Sequence, residues 1–156
     1  IKGIATAAGC QLVASCDLAI ASDEAKFATP GVNIGLFCST PMVALSRNIS
    51  NKHAMEMLLT GDMIDAKKAT DIGLINNNVS SKNLMHETLT LAKKVASKSS
   101  MTLKVGKQAF YVQSSLELSE AYKYTSKVML DNILKDDAKE GIEAFIDKRD
   151  PKWKDK

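Results

Sequence analysis

GIATAAGCQLVASC, residues 3–16, has the most informative local pattern in this chain. Its first apolar residues predict the end of a strand, and the residues from about Ala8 to Ser15 predict a helix. The small residues between them predict a tight turn. The first N–H groups of a helix have no partner within the helix, so they can bind a substrate oxygen. The stretch therefore predicts a strand, a turn that can place a backbone N–H against a ligand, and a helix.

The rest of the chain alternates strands and helices in its first half and is almost entirely helical in its second. Thr29-Pro30-Gly31 predicts a turn with positive φ at the glycine. We expect a boundary near residue 80, after the last strand. The predicted strands are 1–5, 18–21, 26–28 and 74–79, and the predicted helices are 8–15, 41–47, 52–60, 66–72, 82–98, 101–112, 116–134 and 137–148.

Composition excludes several classes of function. The 156 residues are 45% hydrophobic and 25% charged, with a net charge of +3, which is ordinary for a globular domain. The lysines are dispersed, so no nucleic-acid partner is indicated. No apolar run is long enough to span a membrane. The three cysteines lack metal-ligand spacing, and we expect them to be reduced thiols, with no metal bound. The chain begins in an apparent strand, so we expect an N-terminal part of the core to be absent.

Four segments together identify the chain as a member of a known family: AAGCQLVASCDLAIAS (7–22), AKFATPGVNIGLFCST (25–40), MLLTGDMIDAKKATDIGLIN (57–76) and DDAKEGIEAFIDKRDPKW (136–153). They resemble the crotonase, or enoyl-CoA hydratase/isomerase, superfamily, in the order that the family has them. The resemblance implies an α/β fold, the crotonase (ClpP-like) spiral of ββα turns. Residues 1–80 would form the C-terminal part of this core, without its N-terminal half, and 81–156 a helical trimerisation region.

The resemblance also implies a ligand and a location. The ligand or substrate is an acyl-CoA, with no further cofactor, and the assembly is a homotrimer or a dimer of trimers. The expected location is the mitochondrion, in fatty-acid metabolism. Two backbone N–H groups hold the thioester oxygen in this family, and one of them maps onto Ala8. Preorganised donors of this kind stabilise the charge that develops on the oxygen, and losing one costs ~10²–10³ in rate.

Two positions argue against hydratase chemistry. The glutamates with which hydratases move protons map onto Gln11 and Gly31. A glutamine can orient water but cannot exchange a proton at neutral pH, and a glycine has no side chain. General acid–base help contributes ~10²–10⁴ per group. We therefore expect hydratase activity near background, and we expect Gln11→Glu combined with Gly31→Glu to restore weak turnover.

Further residues are expected to contact the ligand by the same resemblance. For Cys38 and Ser39 two roles stay open, lining the pocket or acting as nucleophile, although no base is near them in sequence. Lys148 and Arg149 are predicted to lie in the last turn of the final helix. Two roles stay open for Lys148: its charge is favourable at a helix C-terminus, or it contacts CoA. The predicted substrate-binding residues are Gly9, Pro30, Cys38, Ser39, Phe145 and Lys148.

Three classes of function remain open from the sequence. The first is an acyl-CoA-binding protein without hydratase activity. The second is another enzyme on the same scaffold, an acyl-CoA hydrolase, a decarboxylase or another lyase, which needs the N–H donors but not both glutamates. The third is a non-catalytic interaction protein. Activity against acyl-CoAs separates the first two, and thermal stabilisation by acyl-CoA separates both from the third.

Overall fold

A computed structural model describes residues 1–155 and divides the chain into two compact units. The first unit is Ile1–Thr90, and the second begins at Leu91. The division falls inside a helix, whereas the sequence predicts a boundary near residue 80. Each unit has its own elements and is described separately.

The strands are β1 (Ile4–Thr6), β2 (Ile20–Ser22), β3 (Lys26–Ala28), β4 (Ile64–Asp65) and β5 (Asn77–Val79). The helices are α1 (Ala8–Ser15), α2 (Ser39–Asn48), α3 (Asn51–Thr60), α4 (Ala66–Asp71), α5 (Leu84–Ala96), α6 (Ser100–Gln113), α7 (Leu118–Ile133) and α8 (Asp136–Ile146), with a 3₁₀ helix at Pro30–Ile34. The bounds predicted for α1 and β3 are confirmed. The predicted strand 74–79 is confirmed only in its last three residues.

Two small sheets organise the first unit. β1 pairs with β3 in parallel, and β3 pairs with β4 antiparallel, giving the order β1-β3-β4. β2 and β5 form a separate parallel pair. The core contains the fully buried side chains of Phe27, Leu45 and Leu58, surrounded by alanines that allow close packing. Because β1 and β3 are parallel, the turns that follow them emerge at the same edge of the sheet.

The turn after β3 differs from the prediction. Pro30 begins a 3₁₀ helix, because its fixed φ suits the first helical position. Gly31 lies inside this helix and is not among the residues with positive φ, so that prediction was wrong. The left-handed residue is Gly35, with φ 76°, which ends the 3₁₀ helix.

The second unit is helical, and α8 holds the C-terminal segment. The Asp137 carboxylate is buried and accepts hydrogen bonds from Ser99 Oγ at 2.5 Å and from the backbone N–H groups of Lys154 at 2.7 Å and Asp155 at 3.0 Å. The Trp153 indole donates to the Ser97 carbonyl at 2.8 Å, so this tryptophan anchors the C-terminal segment. Within residues 1–155, no helix is both long enough and apolar enough to cross a membrane.

Candidate functional site

The turn between β1 and α1 has a strained residue at its centre. Thr6 pairs with Ala28 in the sheet, and the next N–H, that of Ala7, donates to the Ala28 carbonyl at 3.0 Å. The Ala7 carbonyl accepts the first helical hydrogen bond, from the N–H of Gln11 at 2.9 Å. To meet both partners, Ala7 adopts φ 47° and ψ −114°, which is unusual for any residue with a Cβ.

This turn leaves open the first N–H groups of α1. Ala8, Gly9 and Cys10 occupy the first three helical positions, where no carbonyl of the helix is within reach. No side chain caps this helix, and no acidic residue lies in its first turn. Cys10 is buried, whereas Ala8 and Gly9 are exposed residues, which leaves space for a ligand at this end of the helix. Ala8 is helical with negative φ, the condition that its expected role requires.

Within the described residues, α3 and α4 are capped by a side chain, whereas α2, α7 and α8, like α1, have no side-chain cap. Ser50 is the N-cap residue before α3, and its hydroxyl accepts from the N–H of His53; Asp65 is the N-cap residue before α4, and its carboxylate accepts from the N–H of Lys68 at 2.8 Å. The corresponding position of α1 is occupied by Ala7, whose side chain has no acceptor. The α1 N-terminus therefore retains the partial positive charge that such ends carry.

Gln11 lies one turn into α1 and is half-buried. Its carbonyl accepts a hydrogen bond from Ser15 Oγ at 2.8 Å. Within the described part of the chain its carboxamide makes no hydrogen bond, so it can hold a water or a ligand group. It carries no exchangeable acid, and general acid–base catalysis by this side chain is excluded.

Gly31 follows β3 at the same sheet edge, but a side chain there has no space. An ideal Cβ on Gly31 would lie 2.8 Å from the Leu36 carbonyl oxygen and 2.9 Å from Cys38 Sγ. The expectation that Gly31→Glu, with Gln11→Glu, would restore turnover stays a prediction, and these contacts oppose it. The glutamate would displace a backbone carbonyl before its carboxylate reached a ligand.

The two candidate nucleophiles lack a base. Cys38 is buried, and its sulfur accepts a hydrogen bond from the N–H of Gly31 at 3.3 Å. Ser39 is exposed, and its hydroxyl donates to the Phe37 carbonyl at 3.3 Å. Neither group is hydrogen-bonded to a histidine or carboxylate in residues 1–155.

The thiol of Cys10 is a separate case. Burial, and secondly the neighbouring Cys38, raise the pKa of Cys10 to about 11, so the Cys10 thiol is protonated at neutral pH.

Phe145 and Lys148 belong to the second unit. Phe145 is 85% exposed near the end of α8. Helix α8 ends at Ile146, so the placement of Lys148 and Arg149 in its last turn was wrong. Lys148 has φ 54°, and the Arg149 guanidinium donates to both carboxylate oxygens of Glu140, at 2.7 Å and 3.1 Å. Arg149 is thus a structural partner of Glu140.

The first unit brings together most of the predicted site. Gly9 lies beside Ala8, Pro30 precedes Gly31, and Cys38 contacts Gly31, with Ser39 following it. Sequence reasoning missed Ala7, whose backbone sets the direction of the Ala8 N–H. The signal for it was the run of small residues at the turn. Among the described residues, no group of three His, Cys, Asp or Glu side chains could hold a metal ion.

The strand β1, the turn after it and the open start of α1 are the features expected of the crotonase fold. Comparison with known proteins establishes the family. The whole chain, residues 1–156, matches the enoyl-CoA hydratase/isomerase family. The protein belongs to this family.

Several relatives are similar over nearly all of the chain. Enoyl-CoA hydratase domain-containing protein 3, mitochondrial, from Rattus norvegicus is 54% identical over 98% of this chain and 51% of its own length, and the Homo sapiens protein is 52% identical over 98% and 50%. The crystal structure of the human protein superposes with a TM-score of 0.94 at 53% identity, covering 97% of this chain and 60% of that one. A Mycobacterium smegmatis enoyl-CoA hydratase gives a TM-score of 0.95 at 46% identity, covering 98% and 60%. The chain spans about half the length of the curated relatives.

Proposed function

We propose that the protein binds an acyl-CoA thioester at the β1–α1 turn and does not hydrate enoyl-CoAs. The observation that supports this most directly is the open start of α1. Ala8 and Gly9 are exposed there, and among the described residues their N–H groups have no acceptor. A thioester carbonyl is a neutral acceptor that gains negative charge during reaction, and fixed N–H donors favour it increasingly as it does.

The absence of hydratase chemistry rests on Gln11 and Gly31. Water addition needs one group to deprotonate water and another to protonate the α-carbon. Gln11 can do neither, and Gly31 lies where even a methyl group has no space. The first unit holds no carboxylate hydrogen-bonded to either residue among those described. Hydration would therefore lack both proton-transfer steps.

Assays on the full-length protein test the two parts of this proposal separately. Binding predicts a raised melting temperature in acyl-CoA, because a ligand at 100 times its Kd adds ~2.7 kcal/mol to the free energy of unfolding. The hydration assay with 2-enoyl-CoA predicts turnover near background. Turnover like that of true hydratases, unchanged by Gln11→Ala, would refute the second part.

A second candidate is another reaction of the same thioester. The open amides favour it, because hydrolysis or decarboxylation of an acyl-CoA, and other lyase reactions, use oxyanion donors without needing both glutamates. A screen of simple and malonyl-type acyl-CoAs for free CoA or CO₂ release separates the candidates. If the protein releases free CoA or CO₂ and the Ala8→Pro variant does so more slowly, this second function is established in place of simple binding.

The cellular context and assembly are extended from relatives. The mitochondrial names of the similar proteins support a mitochondrial role in fatty-acid metabolism. A homotrimer, or a dimer of trimers, would cover one face of α7, where Leu118, Tyr122, Met129 and Ile133 are all more than half exposed. Light scattering on the full-length protein measures the mass of the assembly and so the number of its subunits. If acyl-CoA fails to raise the melting temperature while the trimer forms, the non-catalytic interaction protein is the better description.

A further inference from the structure

The segment after the 3₁₀ helix folds back over Gly31. The position of an ideal Cβ on Gly31 is 2.8 Å from the Leu36 carbonyl oxygen, 2.9 Å from Cys38 Sγ and 3.4 Å from the Cys38 nitrogen. The N–H of Gly31 also donates to Cys38 Sγ at 3.3 Å. The direction in which a side chain at position 31 would extend is thus occupied by the chain itself, with the buried Cys38 thiol at its centre.

Helix α3 also lies close to the 3₁₀ helix. Gly61, at the end of α3 with φ 68°, has its ideal Cβ 3.0 Å from Val32 Cγ2 and 3.1 Å from the side-chain amide atoms of Asn33. The buried Thr29 hydroxyl donates to the Met57 carbonyl at 2.9 Å. Helix α3 therefore lies against this segment, and its contacts restrain the segment from shifting to admit a side chain at position 31.

We infer that Cys38 is a specificity-determining residue that fills the space of the missing side chain at position 31. Loss of the second glutamate then does not widen the pocket for a bulkier acyl group, because the thiol takes that volume. Gly31 and Cys38 form a coupled pair in which neither can be enlarged alone. The steric coupling stands on the contacts alone, whereas the effect on acyl selectivity rests on the proposed function.

A double-mutant cycle in the full-length protein tests the coupling. Gly31→Ala is expected to lower the melting temperature by several degrees, since the Leu36 carbonyl and the thiol must both shift. In a Cys38→Gly background the decrease should be smaller, because one of the two obstructions is gone. Gly106→Ala, a helical glycine with nothing within 4 Å of its ideal Cβ, is the control and should not lower it. Equal effects of the two alanine substitutions, or strict additivity of Gly31→Ala and Cys38→Gly, would overturn the inference.

Ligand selectivity tests the role in specificity. The ratio of the Kd values for 2-methylbutyryl-CoA and butyryl-CoA is measured by calorimetry for each variant. Cys38→Ala removes the sulfur and is expected to lower this ratio about tenfold, the scale of one methyl group in a pocket, whereas Cys38→Ser should keep it. An unchanged ratio in Cys38→Ala, with both ligands bound, would overturn the specificity role. If the unmodified protein binds neither ligand, the proposed function fails, while the double-mutant cycle still decides the coupling.

Discussion

Ala7→Gly is predicted to stabilise the protein, although a glycine usually destabilises. At φ 47° and ψ −114° an alanine stores ~1–3 kcal/mol of backbone strain. Glycine removes that strain, at the cost of ~0.4–1 kcal/mol from the freer unfolded chain and roughly 0.4 kcal/mol from a half-buried methyl group. The net expected gain is about 1 kcal/mol, which corresponds to a rise of ~2–4 °C in the melting temperature of a protein of this size.

Thermal and urea unfolding measure this change, with Ala14→Gly as the matched control. Ala14 is also in the first unit but lies inside α1 with helical φ, so glycine there should cost about 1 kcal/mol. The hydrogen bonds of the Ala7 N–H and carbonyl do not involve its side chain, so acyl-CoA affinity should change little. Destabilisation by Ala7→Gly as large as that by Ala14→Gly would show that Ala7 stores no backbone strain.

Three further perturbations have defined outcomes. Asp65→Ala removes the N-cap of α4 and should cost ~1 kcal/mol in urea unfolding, while Asp65→Ser should recover most of it. Hydrogen bonds from Ser99 and then the C-terminal amides lower the pKa of Asp137, and the Arg149 guanidinium and then the Lys152 amide lower that of Glu140 to about 2. Both carboxylates therefore stabilise the folded state above their unfolded pKa near 4, and this contribution is lost as the pH falls from about 4.5 towards 2. The free energy of unfolding, measured at pH 5, 4, 3 and 2, should depend less on pH in Ser99→Ala than in the exposed control Glu120→Gln. Identical pH dependence in the two variants would count against the role of Ser99 in lowering the pKa of Asp137. Iodoacetamide at pH 8 should label the exposed Cys16 well before the buried Cys10, whose pKa is raised to about 11, as peptide mass spectrometry would show; equal labelling rates would contradict that burial.

Local sequence signals were sufficient for the elements that surround the site. Helix α1 was predictable because helix-forming residues follow a small-residue turn, and α4 because Asp65 is a strong N-cap. Strand β4 was not, since two residues have no periodicity and their pairing with β3 depends on residues far away in sequence. The burial of Asp137 was not predictable, because the groups that donate to its carboxylate belong to Ser99, Lys154 and Asp155, all at least seventeen residues away in sequence.

In the candidate site, too, features set by contacts between residues far apart in sequence were not predictable. Ala8 was predictable from its place at a helix start, and the lack of acids at Gln11 and Gly31 was visible directly. The positive φ fell on Ala7 instead of Gly31, because Ala7 must satisfy the Ala28 carbonyl, a contact between distant strands. The close approach of Leu36 and Cys38 to Gly31 depends on how the chain turns after the 3₁₀ helix, which no short pattern specifies.

Infrared difference spectroscopy with an acyl-CoA ¹³C-labelled at its thioester carbonyl tests the hydrogen bond from the Ala8 N–H most directly. Binding to the full-length protein should shift the carbonyl stretch to lower frequency, because fixed donors polarise the bond. Ala8→Pro removes that donor at the first helical position, where proline is tolerated, and the shift should shrink in this variant while circular dichroism shows that the variant is folded. A bound thioester whose carbonyl frequency is the same in both proteins would contradict the account.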